Sequence, residues 1–257
     1  MPSRTNYSVP ARAGHGDHSM TLLVTGGHSP IAQAVATHLV ETGYSVVLTT
    51  RDSGGELETL RGLSPRLAVE TLSFSSQEKT VEEFLALDAN YLFSGLVFGH
   101  RYRGVKLGEH VQSEVEIPVR LVQEFAALER PSGNHAAVFF SSPGAQRYIG
   151  DQGISYHISK AAIESAVRFL AAELGPQGIR VNAVSPGAYV TKERAANFYR
   201  ANPDVLAWGH HVTPLRRFAR PQKWQMLLSS WSARTRHSLR VKSYQSTGGP
   251  LFSTHPD

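Results

Sequence analysis

Cysteine is absent from all 257 residues, which excludes disulfides and thiolate metal centres together. No apolar run approaches the ~18 residues that a membrane-spanning helix needs. An uninterrupted apolar stretch of the signal-peptide kind is also missing, because Arg4, Arg12, His15, Asp17 and His18 break up the N-terminus. Lysine is scarce, at six residues against twenty arginines, and the net charge is +5. These cations scatter along the chain apart from Arg216-Arg217 and the stretch from Arg234 to Lys242. The clustered basic face of a nucleic-acid binder is therefore lacking. His210-His211 are adjacent and have no third ligand at helical spacing, so no metal site is expected. The exclusions leave a cytoplasmic protein with neither nucleic acid nor membrane as partner.

What is present suits an ordinary globular fold, with 41% hydrophobic and 18% charged residues. Residues 1–19, rich in Pro, Gly, Ser, Arg and His, carry no apolar period and read as a disordered extension or a non-native remnant, with Met20 as a second candidate start. From residue 20 an alternation begins. Thr21-Leu22-Leu23-Val24 predicts a buried strand running into the turn Thr25-Gly26-Gly27-His28-Ser29. Ile31, Val35, Leu39 and Val40 mark one face of a helix that Gly43 ends, and Ser45–Thr50 predicts the second strand.

Further helices are predicted near 53–63, 76–87, 108–128 and 153–174, and further strands near 68–72, 92–98, 136–140 and 179–184. Short, nearly all-apolar strands alternating with helices predict a three-layer α/β fold, a doubly wound parallel sheet of the Rossmann kind. Ligands in such folds bind beyond the C-terminal strand ends. Residues 188–220 read as a substrate lid, with Phe198, Tyr199 and Trp208 either lining a pocket or packing the lid. A last helix near 221–233 and a strand near 239–244 close a single domain spanning 20–251, with 252–257 as a tail.

One stretch carries chemistry. Tyr156 and Lys160 lie four apart on a predicted helix and so share a face. A cation beside a phenol favours the phenolate and brings its proton transfer toward neutral pH. With nine tyrosines and six lysines such a spacing arises by chance about 0.2 times, so its surroundings must decide its meaning. Upstream, the run Ala136–Phe140 ends at Ser141-Ser142, which puts hydroxyls at a strand end.

The order of these motifs resembles the short-chain dehydrogenase/reductase family over roughly residues 20–251. Thr25-Gly26-Gly27-His28-Ser29-Pro30-Ile31-Ala32 corresponds to that family's Thr-Gly-x-x-x-Gly-x-Gly turn. Tyr156-x-x-x-Lys160 corresponds to its catalytic pair, and Arg180–Gly187 with Thr191 to its strand-to-Pro-Gly-x-x-x-Thr segment. Arg216–Pro221 and Gly248-Gly249 match its late landmarks. There are departures: Pro30 and Ala32 replace two glycines, Phe98-Gly99-His100-Arg101 replaces Asn-Asn-Ala-Gly, Ser73 replaces an acidic residue, and Glu114 replaces a relay asparagine. Pro30 is sterically acceptable in a first helical turn but removes one amide from a phosphate site.

The resemblance implies a hydride-transferring oxidoreductase acting on a small-molecule carbonyl or secondary alcohol. Tyr156 would donate the proton, Lys160 would support it and bind the nicotinamide ribose, and a serine would orient the substrate oxygen. Ser142, fourteen residues before Tyr156, fits the family interval better than Ser141, by one residue of loop. Gly26, His28, Ser29, Pro30, Ile31, Thr50, Arg51, Phe98, Gly99, Lys160, Pro186, Gly187 and Thr191 are the expected cofactor contacts. The second strand ends in neutral Thr50 followed by Arg51, which favours NADP(H) over NAD(H), since a guanidinium pairs with a 2′-phosphate. His100 either touches the ligand or is an ordinary loop histidine. Two other functions fit the same fold, a nucleotide-binding protein with little catalysis and a redox-neutral epimerase or dehydratase. The family's habit of pairing long helices implies a homodimer or homotetramer.

Overall fold

Alternation along each strand sends successive side chains to opposite faces of a sheet. In strand β1 (Thr21–Thr25), Leu22 and Val24 enter one hydrophobic cluster while Leu23 enters the other. Strand β2 (Ser45–Thr50) splits in the same way, with Val46 and Leu48 on one side and Val47 on the other. Both faces are therefore buried, as the apolar runs demanded. The computed structural model describes residues 20–51, 64–130, 134–149, 152–186, 197, 199–204 and 206–207.

The remaining strands are β3 (Leu67–Thr71), β4 (Phe93–Phe98), β5 (His135–Phe140) and β6 (Ile179–Val184). All pair in parallel in the order β3-β2-β1-β4-β5-β6. Chain direction across the sheet reverses between β1 and β4, and that switch point opens a crevice at the C-terminal strand ends. Helix α1 (Pro30–Glu41) covers one face through Ile31, Ala32, Val35 and Leu39. Helices α2 (Gln77–Tyr91), α4 (Ile117–Ala127) and α5 (Ile154–Leu174) cover the other, where Phe84, Phe125, Val167 and Leu170 meet β4 and β5.

Two boundaries differ from the sequence expectation for physical reasons. Helix α2 runs to Tyr91, and Leu92 caps it in the left-handed region (φ 52°) rather than starting β4. That cap is held by Asp88, whose Oδ1 accepts the Phe93 amide at 3.1 Å and pairs with Arg130 at 2.9 Å.

The second difference is larger. The helix expected at 108–128 is interrupted: α3 (Leu107–Val111) passes into a π-helical segment (Gln112–Glu116) before α4 resumes. The Ile117 amide bonds back to Gln112 five residues away. Pro118 has no amide proton to return to the carbonyl of Glu114, so the regular ladder fails there. The wider turn buries three consecutive residues, Ser113, Glu114 and Val115, which an α-helix of this amphipathic kind would not do.

The expected helices near 53–63 and 221–233, the strand near 239–244, both termini and most of the lid lie outside the described residues. Of the three lid aromatics only Tyr199 is described, on helical backbone at 199–201. Among the described residues no helix is long and apolar enough to cross a membrane, and no group of three or more histidines or carboxylates could hold a metal ion.

Candidate active site

The crevice at the switch point is floored by glycines. Gly26 follows β1 with φ +89°, a conformation other residues rarely adopt, and a Cβ there would lie 2.6 Å from the His100 Cα. At Gly99 a Cβ would lie 2.8 Å from the Thr25 carbonyl oxygen and 3.0 Å from the Ala32 Cβ. The loops after β1 and β4 thus touch backbone to backbone. Ala32, in place of a third glycine, is small enough to stay in that contact.

Ser29 precedes α1 with extended backbone, and its side chain caps nothing. With Pro30 lacking a donor, the first-turn amides left uncapped by Ser29 are those of Ile31 and Ala32, at the positive end of the helix. Thr50 closes β2 with its hydroxyl 2.9 Å from His28 Nε2, and Arg51 follows it exposed to solvent. The Phe98 ring, in contrast, is in the core against Phe139 at 4.8 Å, leaving its backbone at the strand end. Pro186 is buried just beyond β6; Gly187 and Thr191 lie outside the described residues.

His100 stands on this floor and is structural. Its Nε2 lies 2.8 Å from the Ser113 carbonyl oxygen, which can only accept, so Nε2 carries the proton. Nδ1, 2.7 Å from the Thr25 hydroxyl, then accepts from it. Phe74 stacks on the ring with centroids 3.9 Å apart. Burial, opposed by the Ser113 bond and the Glu114 charge, lowers the imidazole pKa to about 4 from its ordinary 6.5. One neutral imidazole therefore ties β1 and β4 to the π segment.

This makes His100 a source of acid sensitivity. A base with a lowered folded pKa stabilises the fold fully above its unfolded value and loses that contribution as pH falls through the folded one. From about pH 6.5 to 4 the native state should lose about 2 kcal/mol, a figure reduced for the ring's partial exposure. Urea unfolding of the parent and of His100→Gln across that window checks it. The expected result is a flatter pH dependence in the variant; equal slopes would contradict the assignment.

Ser141 and Ser142 end β5 but face different partners. Ser141 Oγ donates to Glu164 Oε1 at 3.0 Å and lies 3.3 Å from the Lys160 carbonyl oxygen, so it fastens the strand end to α5. Ser142 Oγ accepts the Gly144 amide at 3.1 Å and caps the 3-10 turn Pro143–Ala145. Gly144 also borders the Tyr156 ring, since a Cβ there would lie 3.1 Å from Tyr156 Cε1 and 3.5 Å from Ser142 Oγ. Ser142 is thus the hydroxyl on the Tyr156 side.

Tyr156 and Lys160 occupy one face of α5, with Nζ 5.6 Å from the Tyr156 ring centroid. Among the described residues the Tyr156 hydroxyl makes no hydrogen bond, and its ring is half-buried. The Arg101 guanidinium lies 4.4 Å over that ring and also donates to Gln152. Lys160 is buried: Nζ donates to the Phe140 carbonyl at 3.1 Å and pairs with Glu114 Oε2 at 2.8 Å. Neither Arg101 nor this ion pair was foreseen as part of the site. Glu114 had drawn notice only as a substitution, and no helical period foretells that a π turn will aim it inward.

Comparison with known proteins gives the family. A family model described as "Enoyl-(Acyl carrier protein) reductase" matches residues 109–231. An A-factor type gamma-butyrolactone 1'-reductase (1S-forming) from Streptomyces virginiae is 30% identical over 223 residues, covering 78% of this chain and 83% of that protein. The short chain dehydrogenase mdpC of Emericella nidulans is 32% identical over 181 residues, 66% of this chain and 68% of that one. In three dimensions, the crystal structure of an actinorhodin polyketide ketoreductase variant with NADPH superposes with a TM-score of 0.74 at 21% identity, covering 90% of this chain and 97% of the other. Fold, strand-end motifs and kinship converge: this chain belongs to the short-chain dehydrogenase/reductase family and is an oxidoreductase of that type.

Proposed function

We propose that the protein is an NADP(H)-dependent reductase of a ketone carbonyl, also able to run in reverse on a secondary alcohol. The observation that supports this reading is that Tyr156, its hydroxyl unbonded among the described residues, and Ser142 both border Gly144 just beyond the end of β5. NADPH, when bound, supplies the hydride. The chain supports that nucleotide with the glycine turn after β1, the uncapped amides of Ile31 and Ala32, and a strand end that is neutral at Thr50 and cationic at Arg51. A carboxylate at Thr50 would instead suit the free ribose hydroxyls of NADH.

In this reading the Ser142 hydroxyl donates to the substrate oxygen and fixes its orientation. Tyr156 gives its proton to the same oxygen as charge develops there, and the buried Lys160 ammonium steadies the phenolate left behind. Arg101, 4.4 Å over the Tyr156 ring, adds a second cation at the mouth and helps exclude water from the phenol's face. The same proposal includes assembly with further copies of the chain, because α5 leaves Ile154, Ile158 and Phe169 exposed at 72%, 40% and 63%.

Purified protein incubated with NADPH and a panel of 3-oxoacyl thioesters and aromatic ketones should consume the nucleotide in step with alcohol formation. Binding of NADPH without oxidation by any carbonyl would favour a nucleotide-binding role instead. Alcohol or alkene isomers formed with no net consumption would favour a redox-neutral reaction. Cofactor choice has its own test: Arg51→Ala should raise the KM for NADPH about 10- to 100-fold, the loss of one charge-assisted pair, and leave that for NADH almost unchanged. Equal effects on both cofactors would remove the assignment to the 2′-phosphate.

A further inference from the structure

The carboxylate of Glu114 is the one acidic group that reaches Lys160 among the described residues, and it is 3% exposed. Its two oxygens are fully engaged. Oε1 accepts the Tyr102 amide at 2.8 Å, and Oε2 accepts the Ser159 hydroxyl at 3.2 Å while pairing with Lys160 at 2.8 Å. The π segment holds it there, since the extra residue in that turn rotates Glu114 toward α5. A buried carboxylate costs several kcal/mol in desolvation unless paired, so the carboxylate and the ammonium hold each other in place.

We propose that Glu114 is a positioning residue that acts through Lys160, offsetting part of the ammonium's field at Tyr156 and so setting the pH range in which the phenol exchanges its proton. This rests on the reading of Tyr156 as the proton donor. The pairing also directs Nζ toward the π segment and the Phe140 carbonyl, with Nζ 5.6 Å from the Tyr156 ring centroid.

The charged and titratable groups around this pair come from every neighbouring element. Arg101 lies over the Tyr156 ring from the loop after β4, and His157 meets that ring edge-on from α5 itself, with centroids 6.0 Å apart. Glu164, also on α5, is engaged by Ser141 and Gln146. His110 of α3 faces Glu114 from the far side, with Nδ1 3.8 Å from Oε1 and no hydrogen bond to that nitrogen among the described residues. His100 lies near enough to feel both Glu114 and Lys160. Histidines ordinarily titrate well below a phenol and do not change charge across the phenol's own range. Guanidinium groups stay charged in proteins. The adjustable quantity is therefore the balance between Lys160 and Glu114.

Glu114→Gln keeps the shape and an acceptor for the Tyr102 amide but removes the negative charge. The full Lys160 cation then acts on the phenol and favours the phenolate. Tyr156 can be followed directly, without substrate, as tyrosinate absorbance against pH, taking the difference between each protein and its Tyr156→Phe counterpart. The expected midpoint in Glu114→Gln lies about one pH unit below the parent's, the size of a unit charge acting at this range in a partly screened site. Glu114→Asp, which keeps the charge at a shorter reach, should fall between the two. It carries the test alone if the neutral variant does not fold.

Coincident midpoints in the parent and the variants, or a shift to higher pH, would overturn the proposal. If the midpoints move as expected while no carbonyl supports turnover, the reductase reading fails and the role of Glu114 stands. If turnover is present, the corresponding limb of the pH–rate profile should move by the same amount as the absorbance midpoint.

Discussion

Replacing Tyr156 by phenylalanine should lower turnover about 10²- to 10⁴-fold, the usual contribution of a positioned acid–base group, while NADPH binding stays near the parent value. Phenylalanine retains what the ring does for the structure: the aromatic face under Arg101 and the close approach at Gly144. It loses only the hydroxyl, which supports no other group among the described residues. Stability should therefore change by less than about 0.5 kcal/mol, as expected where no buried partner is orphaned. Initial rates with a turned-over carbonyl, together with nucleotide affinity from fluorescence quenching, separate the two effects. A variant that kept near-parental turnover would move the proton donor elsewhere, and one that also lost nucleotide affinity would point to misfolding.

The second large effect concerns the buried pair. Lys160→Met fills nearly the same volume but leaves the Glu114 carboxylate, 3% exposed, without its counter-charge. Breaking such a pair from one side costs about 3–5 kcal/mol, because the remaining charge stays desolvated. Chemical denaturation should register that loss, and turnover should fall with it. The double variant Lys160→Met/Glu114→Gln removes both charges and should recover most of the stability, while turnover remains low. That divergence between a recovered fold and an unrecovered rate distinguishes a catalytic ammonium from a merely structural one. Recovery of both would show that Lys160 contributes through packing alone.

These two experiments probe the centre of the site from opposite sides. Tyr156 is half-buried, and its hydroxyl makes no hydrogen bond among the described residues. Lys160 and Glu114 are sunk beneath it and held by Phe140, Ser159 and Tyr102. A buried, fully bonded ion pair under the phenol is the kind of supporting shell that a proton-transfer site would need.

Much of this was legible in the residues. Strands announce themselves when both faces are buried, because apolar runs such as Leu22–Val24 and Val46–Leu48 leave no polar alternative. The four-residue spacing of Tyr156 and Lys160 fixed their shared face, since helical geometry is local. Gly26 and Gly99 stood out as expected cofactor contacts, and the fold adds that their loops touch backbone to backbone. The order of the motifs placed all of these at one edge of one sheet.

What the tertiary structure alone decided depends on contacts far apart in sequence. No local pattern shows that His100 is bound to Thr25 and Ser113, 75 and 13 residues away, and is thereby made a neutral strut between them. Nor does one show Arg101 reaching the Tyr156 ring across 55 residues. The interruption before Pro118 was open to inference as a weak point in a helix, yet its consequence was not. Whether the freed turn would widen, and which side chain it would aim inward, is settled by packing against α5, where Ser159 and Lys160 wait for a carboxylate. Local sequence determines the elements and their faces because those follow from backbone periodicity. The charge that stands behind the tyrosine follows from which elements meet, and that is a property of the folded chain.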